Sequence, residues 1–280
     1  MLFWRDAFAV TGLCFLLVAA LPARAADTTA DRANIEAFLN ITGFDVALEA
    51  IAHSADHAPA LLGQEVEDFG PAWVQISEDV FDTAEMHNMA VDILAKTLSA
   101  GHLGHAAEFY ASDLGQRLVA VENASHANAD SDEKRGEGLR LIKDMGASSP
   151  RMTSLLRLME AVDTSQQSVR AVQEVMVRFL MAASHTGALG YAIDEDTLRQ
   201  LIRADEAAMT ADMEEGGRAN AAYTYRDISD EDLEAYAEAL EDPIMQEVYQ
   251  LMNAVQYEIM ANRFEALAVA MADLSPAEEL

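Results

Sequence analysis

Apolar residues along this chain recur at steps of three and four. In segment 171–183, Val172, Val175, Met176, Phe179, Leu180 and Ala183 fall on one face of a helix. Toward the C-terminus Val248, Leu251, Met252, Val255 and Ile259 repeat the spacing, and Phe264, Leu267 and Met271 continue it. Two-residue alternation is not sustained anywhere, and no Asn-Gly or Asp-Gly dipeptide marks a hairpin. The pattern predicts an all-α fold, a bundle-like array of helices. Punctuation agrees with it: Gly43 closes the stripe Ile35, Phe38, Leu39, and Gly70-Pro71 opens a second helical run from Trp73 to Leu98. A small-residue break at 146–150 divides the chain near its middle.

The two sides of that break read as copies. Residues 98–124 align with 228–254 at one constant offset, with identities Ser99/Ser229, Leu103/Leu233, Ala107/Ala237, Glu108/Glu238, Gln116/Gln246, Asn123/Asn253 and Ala124/Ala254. Earlier in each half, Ile35, Phe38 and Leu39 correspond to Leu155, Leu158 and Met159. The expectation is two related helical units, residues 26–148 and 149–280. Ser99 and Ser229 suit helix N-caps, as do Ser112 and Asp242, and Pro243 suits the first helical position, where its missing N–H costs nothing. Each unit is therefore expected to hold a short helix, a tight turn and a long helix. Gly115 would let another helix approach the start of the first long helix, a contact that Met245 must make differently.

The residues Leu98-Ser99, Leu103, Phe109-Tyr110, Ser112 and Leu114-Gly115 resemble the pattern of a bacterial exported-protein family, the domain of unknown function DUF2059: a Leu-Ser helix start, a helix ending in Phe-Tyr, then Ser-Pro-x-Gly. Asp113 stands where that family usually has proline. The second copy keeps the proline as Pro243 but has Ala239-Leu240 for the aromatic pair and Met245 for the glycine. The resemblance implies an all-helical exported protein, with no enzymatic activity to carry over. It marks Leu103, Phe109, Tyr110, Ser112 and Gly115, with Leu233, Asp242 and Pro243 in the second copy, as a candidate binding motif.

Charge and the N-terminus set compartment and partners. The chain has 280 residues, 18 of them Lys or Arg against 48 Asp or Glu, a formal net charge of -30. Such a surface repels phosphate, and no basic stripe with interleaved aromatics is present, so nucleic acid is excluded as a partner. Arg5, the apolar run 7–21, Pro22 and the small-x-small site Ala23-Arg24-Ala25 read as a secretory signal comprising residues 1–25. A retained anchor is the competing reading, but the run falls short of the ~20 residues that a spanning helix needs, and no stable membrane insertion is expected after cleavage. Cys14, the only cysteine, leaves with the signal, so the mature chain has no disulfide and no thiolate chemistry. A bacterial periplasm is the expected destination.

Strong catalytic signatures are absent: no phosphate-binding loop, G-x-G-x-x-G, G-x-S-x-G or H-E-x-x-H occurs. His53 and His57 are four apart and His102 and His105 three apart, spacings that on a helix put each pair on one face. Joined by Asp56, Glu49 or Glu108, either pair suits zinc or another divalent transition metal; otherwise these are solvated histidines, and the second copy has Asp232 and Ala235 in place of His102 and His105. The clusters Asp194-Glu195-Asp196, Glu214-Glu215 and Asp230-Glu231-Asp232 lack EF-hand spacing; most lie where a helix begins, and they read as solvated caps. Segment 117–143, poor in apolar residues at its centre, reads as an exposed helix or a partly disordered link. The functional expectation is a non-enzymatic periplasmic module without a cofactor. It would contact an envelope or periplasmic protein, or a second copy of itself, through the groove between units or the exposed helix. The alternative is a metal-binding protein using His53, His57, His102 and His105.

Overall fold

Short side-chain acceptors write most of the helix starts. Asp31 accepts from the N–H of Asn34 (3.0 Å), Asp82 from Glu85 (2.7 Å), Ser99 from His102 (3.1 Å), Ser112 from Gly115 (3.0 Å) and Asp130 from Glu133 (2.8 Å). Ser149, Asp194, Ser229 and Asp242 do the same for Met152 (3.1 Å), Thr197 (2.9 Å), Asp232 (3.0 Å) and Ile244 (2.8 Å). Each bond satisfies one of the backbone donors that a helix start leaves free.

The computed structural model describes residues 28–162 and 165–274, so the segment expected to be a signal peptide, with Cys14 and Ala23-Arg24-Ala25, lies outside the described residues. The helices are α1 (Arg32–Thr42), α2 (Phe44–His53), the single turn α3 (Ala58–Leu61), α4 (Ala72–Val80), α5 (Thr83–Thr97), α6 (Ala100–Tyr110) and α7 (Asp113–Ala127). They continue with α8 (Ser131–Met145), α9 (Pro150–Val162), α10 (Ser165–Thr186), α11 (Glu195–Ala204), α12 (Glu206–Thr224), α13 (Asp230–Leu240) and α14 (Pro243–Leu274). The fold is all-α. Among the described residues the non-helical pairing is one β-bridge, Thr29 to Ser99, which ties the chain before α1 to the start of α6. No helix among the described residues is long and apolar enough to cross a membrane.

Most of the apolar stripes meet in one core that runs through both halves. Ile35, Phe38 and Leu39 of α1, Leu48 of α2 and Met86 and Leu94 of α5 join Leu155 and Leu158 of α9, Phe179 of α10 and Val255, Ile259 and Leu267 of α14. α1 packs against α2, α5 and α6; α2 also packs against α5 and α7. In the second half α9 packs against α12 and α13, and α10 against α12 and α14. The 32-residue α14 also crosses α4, α5 and α6. There Phe264 meets Phe81 edge-on at 5.5 Å, and Arg263 reaches Glu85 at 2.7 Å.

Three local expectations are corrected. The run from Trp73 to Leu98 is two helices, because Phe81 turns into the core and Asp82 caps a new start. Segment 117–143 is neither one exposed helix nor a link. It breaks after Ala127, restarts on Asp130, and α8 lies against α12 so closely that a Cβ on Gly138 would sit 2.0 Å from the Ala219 carbonyl oxygen. Glu214-Glu215 lies inside α12 rather than at a helix start, with Glu215 bound to Arg135 of α8 at 2.6 Å. At Gly115 another helix does approach, and it is the end of α6: a Cβ there would fall 2.3 Å from the Phe109 carbonyl oxygen.

Candidate functional site

Where the two halves face each other, the core does not close. A cavity of about 1100 Å³ is bordered by α1, α2, α6 and α7 from one side and α9, α12, α13 and α14 from the other. Phe38, Phe44, Leu158, Met159, Met213 and Met252 give it apolar walls. Leu156, Glu160, His126 and Asn220, all exposed, stand at its mouth, whereas Tyr110, Tyr225, Tyr236 and Val248 are buried at its floor.

The floor is a hydrogen-bonded cluster of four phenols around one carboxylate. Tyr225 donates to Glu122 Oε1 at 2.7 Å and Tyr236 donates to the same oxygen at 2.9 Å. The Tyr236 and Tyr249 hydroxyls are 2.8 Å apart, and Tyr249 is hydrogen-bonded in turn to Tyr110. Each phenol has a single hydrogen. With those of Tyr225 and Tyr236 given to Glu122, Tyr249 donates to Tyr236 and Tyr110 donates to Tyr249, so all four point toward the carboxylate. Phe109 stacks on Tyr236 at 5.8 Å, and Tyr225 meets Tyr236 edge-on at 5.9 Å, which fixes the rings.

Burial dominates the acid–base behaviour of the cluster. Loss of water pushes the Glu122 carboxyl above its usual range, against the two phenol hydrogen bonds that act the other way. The same desolvation, reinforced by neighbouring negative charge, holds Tyr110, Tyr225 and Tyr236 well above the ordinary phenol value, and Tyr249 is raised too.

The motif residues expected to form a binding site take several parts in this arrangement. Tyr110 joins the floor and Phe109 supports it. Ser112 and Gly115 build the turn from α6 to α7 that carries Glu122 inward, and Gln116 closes it by donating to the Tyr110 carbonyl at 2.6 Å. Leu103 and Leu233 are buried core residues, Asp242 caps α14, and Pro243 is the first residue of that helix. Sequence reasoning missed Glu122, Tyr225, Tyr236 and Tyr249. A signal existed for the first: Glu122 lies four residues after buried Leu118 and three before buried Ser125, a carboxylate on the inward stripe of α7.

The two histidine pairs fare differently. α2 ends at His53 and the next four residues form a 3₁₀ turn, with Ser54 bonded back to the Ile51 carbonyl at 2.6 Å, so His53 and His57 do not share one α-helix. Asp56 accepts from the Trp73 indole N–H at 2.9 Å instead. His102 and His105 do lie on one helix, where His102 Nε2 is 3.5 Å from Glu247 and His105 Nε2 is 3.3 Å from Asp242. Among the described residues no three His, Cys, Asp or Glu side chains gather as metal ligands.

Residues 84–139 match the model of a family described as an uncharacterized protein conserved in bacteria (DUF2059). The matched stretch runs from α5 through α6 and α7 into α8, so it takes in Leu103, Phe109, Tyr110, Ser112, Gly115 and Glu122, while Leu233, Asp242 and Pro243 lie outside it. No curated protein and no solved structure matches the chain.

Proposed function

We propose that this chain is a non-catalytic binding module of the bacterial envelope, exported by the segment 1–25, that takes a small and largely apolar organic molecule into the cavity between its two halves. The observation that carries the reading is the cavity itself: about 1100 Å³, apolar in its walls, with convergent hydroxyl and carboxyl groups at one end. That combination of greasy walls and a few placed polar groups is the usual build of a small-molecule site. A protein partner was the expectation for the space between units. A pocket with a buried floor suits an end-on small molecule better than the flat, wet surface of a protein contact.

We further propose that the halves are diverged copies of one unit. The α6 and α13 caps, Ser99 and Ser229, bond to the residue three along in the same way. Asn253 of α14 donates to the Val162 carbonyl at the end of α9 at 2.8 Å, and the Asn123 side chain of α7 lies over Gly43 at the end of α1. Divergence then explains why the floor is asymmetric, with Met252 at the position matching Glu122.

The test is titration of the purified chain with the neutral fluorophore N-phenyl-1-naphthylamine, for the native protein and for Ala47→Trp, which fills the cavity from α2. Saturable binding that weakens at least about tenfold in the variant, with helicity and melting temperature retained, is expected. Binding that never saturates, or that Ala47→Trp leaves unchanged, overturns the proposal.

A further inference from the structure

Glu122 is the point of the cavity that the protein leaves unfinished. Both phenol hydrogen bonds go to Oε1, and among the described residues Oε2 accepts none. It is not sealed away either: among the described residues no buried side-chain oxygen lacks a partner, so Oε2 keeps some exposure, and Glu122 borders the cavity. No Arg, Lys or His among the described residues forms an ion pair with this carboxylate. The basic side chains of the cavity wall are elsewhere: Arg218 leans toward Glu214 at 3.9 Å, and His126, which desolvation holds toward its neutral form, is at the mouth.

The surrounding chemistry is nevertheless arranged for negative charge. Four hydroxyl hydrogens run in one direction toward Glu122, a polarised chain that stabilises an anion at its end. An ionised carboxylate held away from water without a counter-ion is costly, and a cation placed against it removes much of that cost. The field of the whole molecule acts the same way, because a formal net charge of -30 concentrates cations and repels anions at the cavity mouth.

We infer that the occupant is an amphiphilic amine: a molecule whose ammonium group donates to Glu122 Oε2 at the cavity floor while its apolar body lies against Phe38, Phe44, Met159 and Met252. The inference rests on the binding reading given above and names the class of ligand for that same site. Tyr225 and Tyr236 act in it as positioning residues, holding Oε1 so that Oε2 is presented to the ligand.

The experiment is a head-group series at near-neutral pH, with decylammonium, decanol and decanoate each competing against N-phenyl-1-naphthylamine on the native chain and on Glu122→Gln. The expected order on the native chain is ammonium ahead of alcohol by about tenfold or more, with the carboxylate weakest. In Glu122→Gln the advantage of the ammonium over the alcohol is expected to disappear. If decanol or decanoate matches decylammonium on the native chain, the charge inference is overturned while the cavity reading stands. If neither the fluorophore nor any of the three binds, the cavity reading itself falls. The native-chain ranking decides between these even where Glu122→Gln does not fold.

Discussion

At Glu122 desolvation and hydrogen bonding pull in opposite directions, and desolvation wins, so the folded chain holds this proton more tightly than the unfolded chain does. In acid, below both values, the residue is protonated in either state and contributes nothing to the pH dependence. As pH rises past the ordinary carboxylate value near about 4.3, the unfolded chain ionises freely while the folded one resists, and the cost to stability grows until pH passes the raised value. Glu122→Gln keeps an acceptor for Tyr225 and Tyr236 and removes the charge. In ligand-free protein the variant is expected to melt no higher than the native chain at about pH 4 and progressively higher toward neutrality. Calorimetric scans across that range check it, and a difference flat in pH sinks the argument. The residues that make this site were unevenly legible. Tyr110 stood out beside Phe109 in a recognisable pattern, and Glu122 interrupts an inward stripe. Tyr225, Tyr236 and Tyr249 carry no local mark, because what singles them out is convergence from three different segments on one carboxyl oxygen and on each other.

Among the helices, local chemistry decides the ends and packing decides the rest. Ser99 and Ser229 each satisfy one backbone donor at a helix start. Ser99→Ala and Ser229→Ala are each expected to lower stability by about 1 kcal/mol. Because the two caps serve separate helices, the double variant should sum the two losses to within about 0.5 kcal/mol. Urea unfolding with an unchanged slope measures this; a loss at one serine alone would show that the two caps are not equivalent. The same local signals made α1, α10 and the C-terminal helix legible from periodicity, and the caps at Ser112 and Asp242 from residue type. The break at Phe81 was not legible because helical spacing runs across it, and the place of the one after Ala127 was not because the stretch there has too few apolar residues to show a period; the cap acids Asp82 and Asp130 look like ordinary surface residues until the chain turns there. His53 and His57 show the converse error: a spacing has meaning only while the helix continues, and this one stops at His53.

For the molecule as a whole, the all-α class follows from periodicity, but the way the halves meet does not. Apolar stripes say which faces turn inward and not how completely opposing faces fill the space between them. Here α14 crosses α4, α5 and α6 and fastens one end of the interface through Phe264 and Arg263, while the other end stays open around the tyrosines. Under hydrostatic pressure that unfilled space becomes the weak point of the structure. Unfolding eliminates internal void volume, so compression shifts the equilibrium toward the smaller, unfolded state. The native chain is therefore expected to unfold at a lower pressure than Ala47→Trp, with a more negative volume change, when helical signal is followed by infrared spectroscopy in a pressure cell. Identical midpoints would mean that water already fills the space as densely as it fills the bulk. A molecule seated in the cavity should make the protein harder to crush as well as harder to melt.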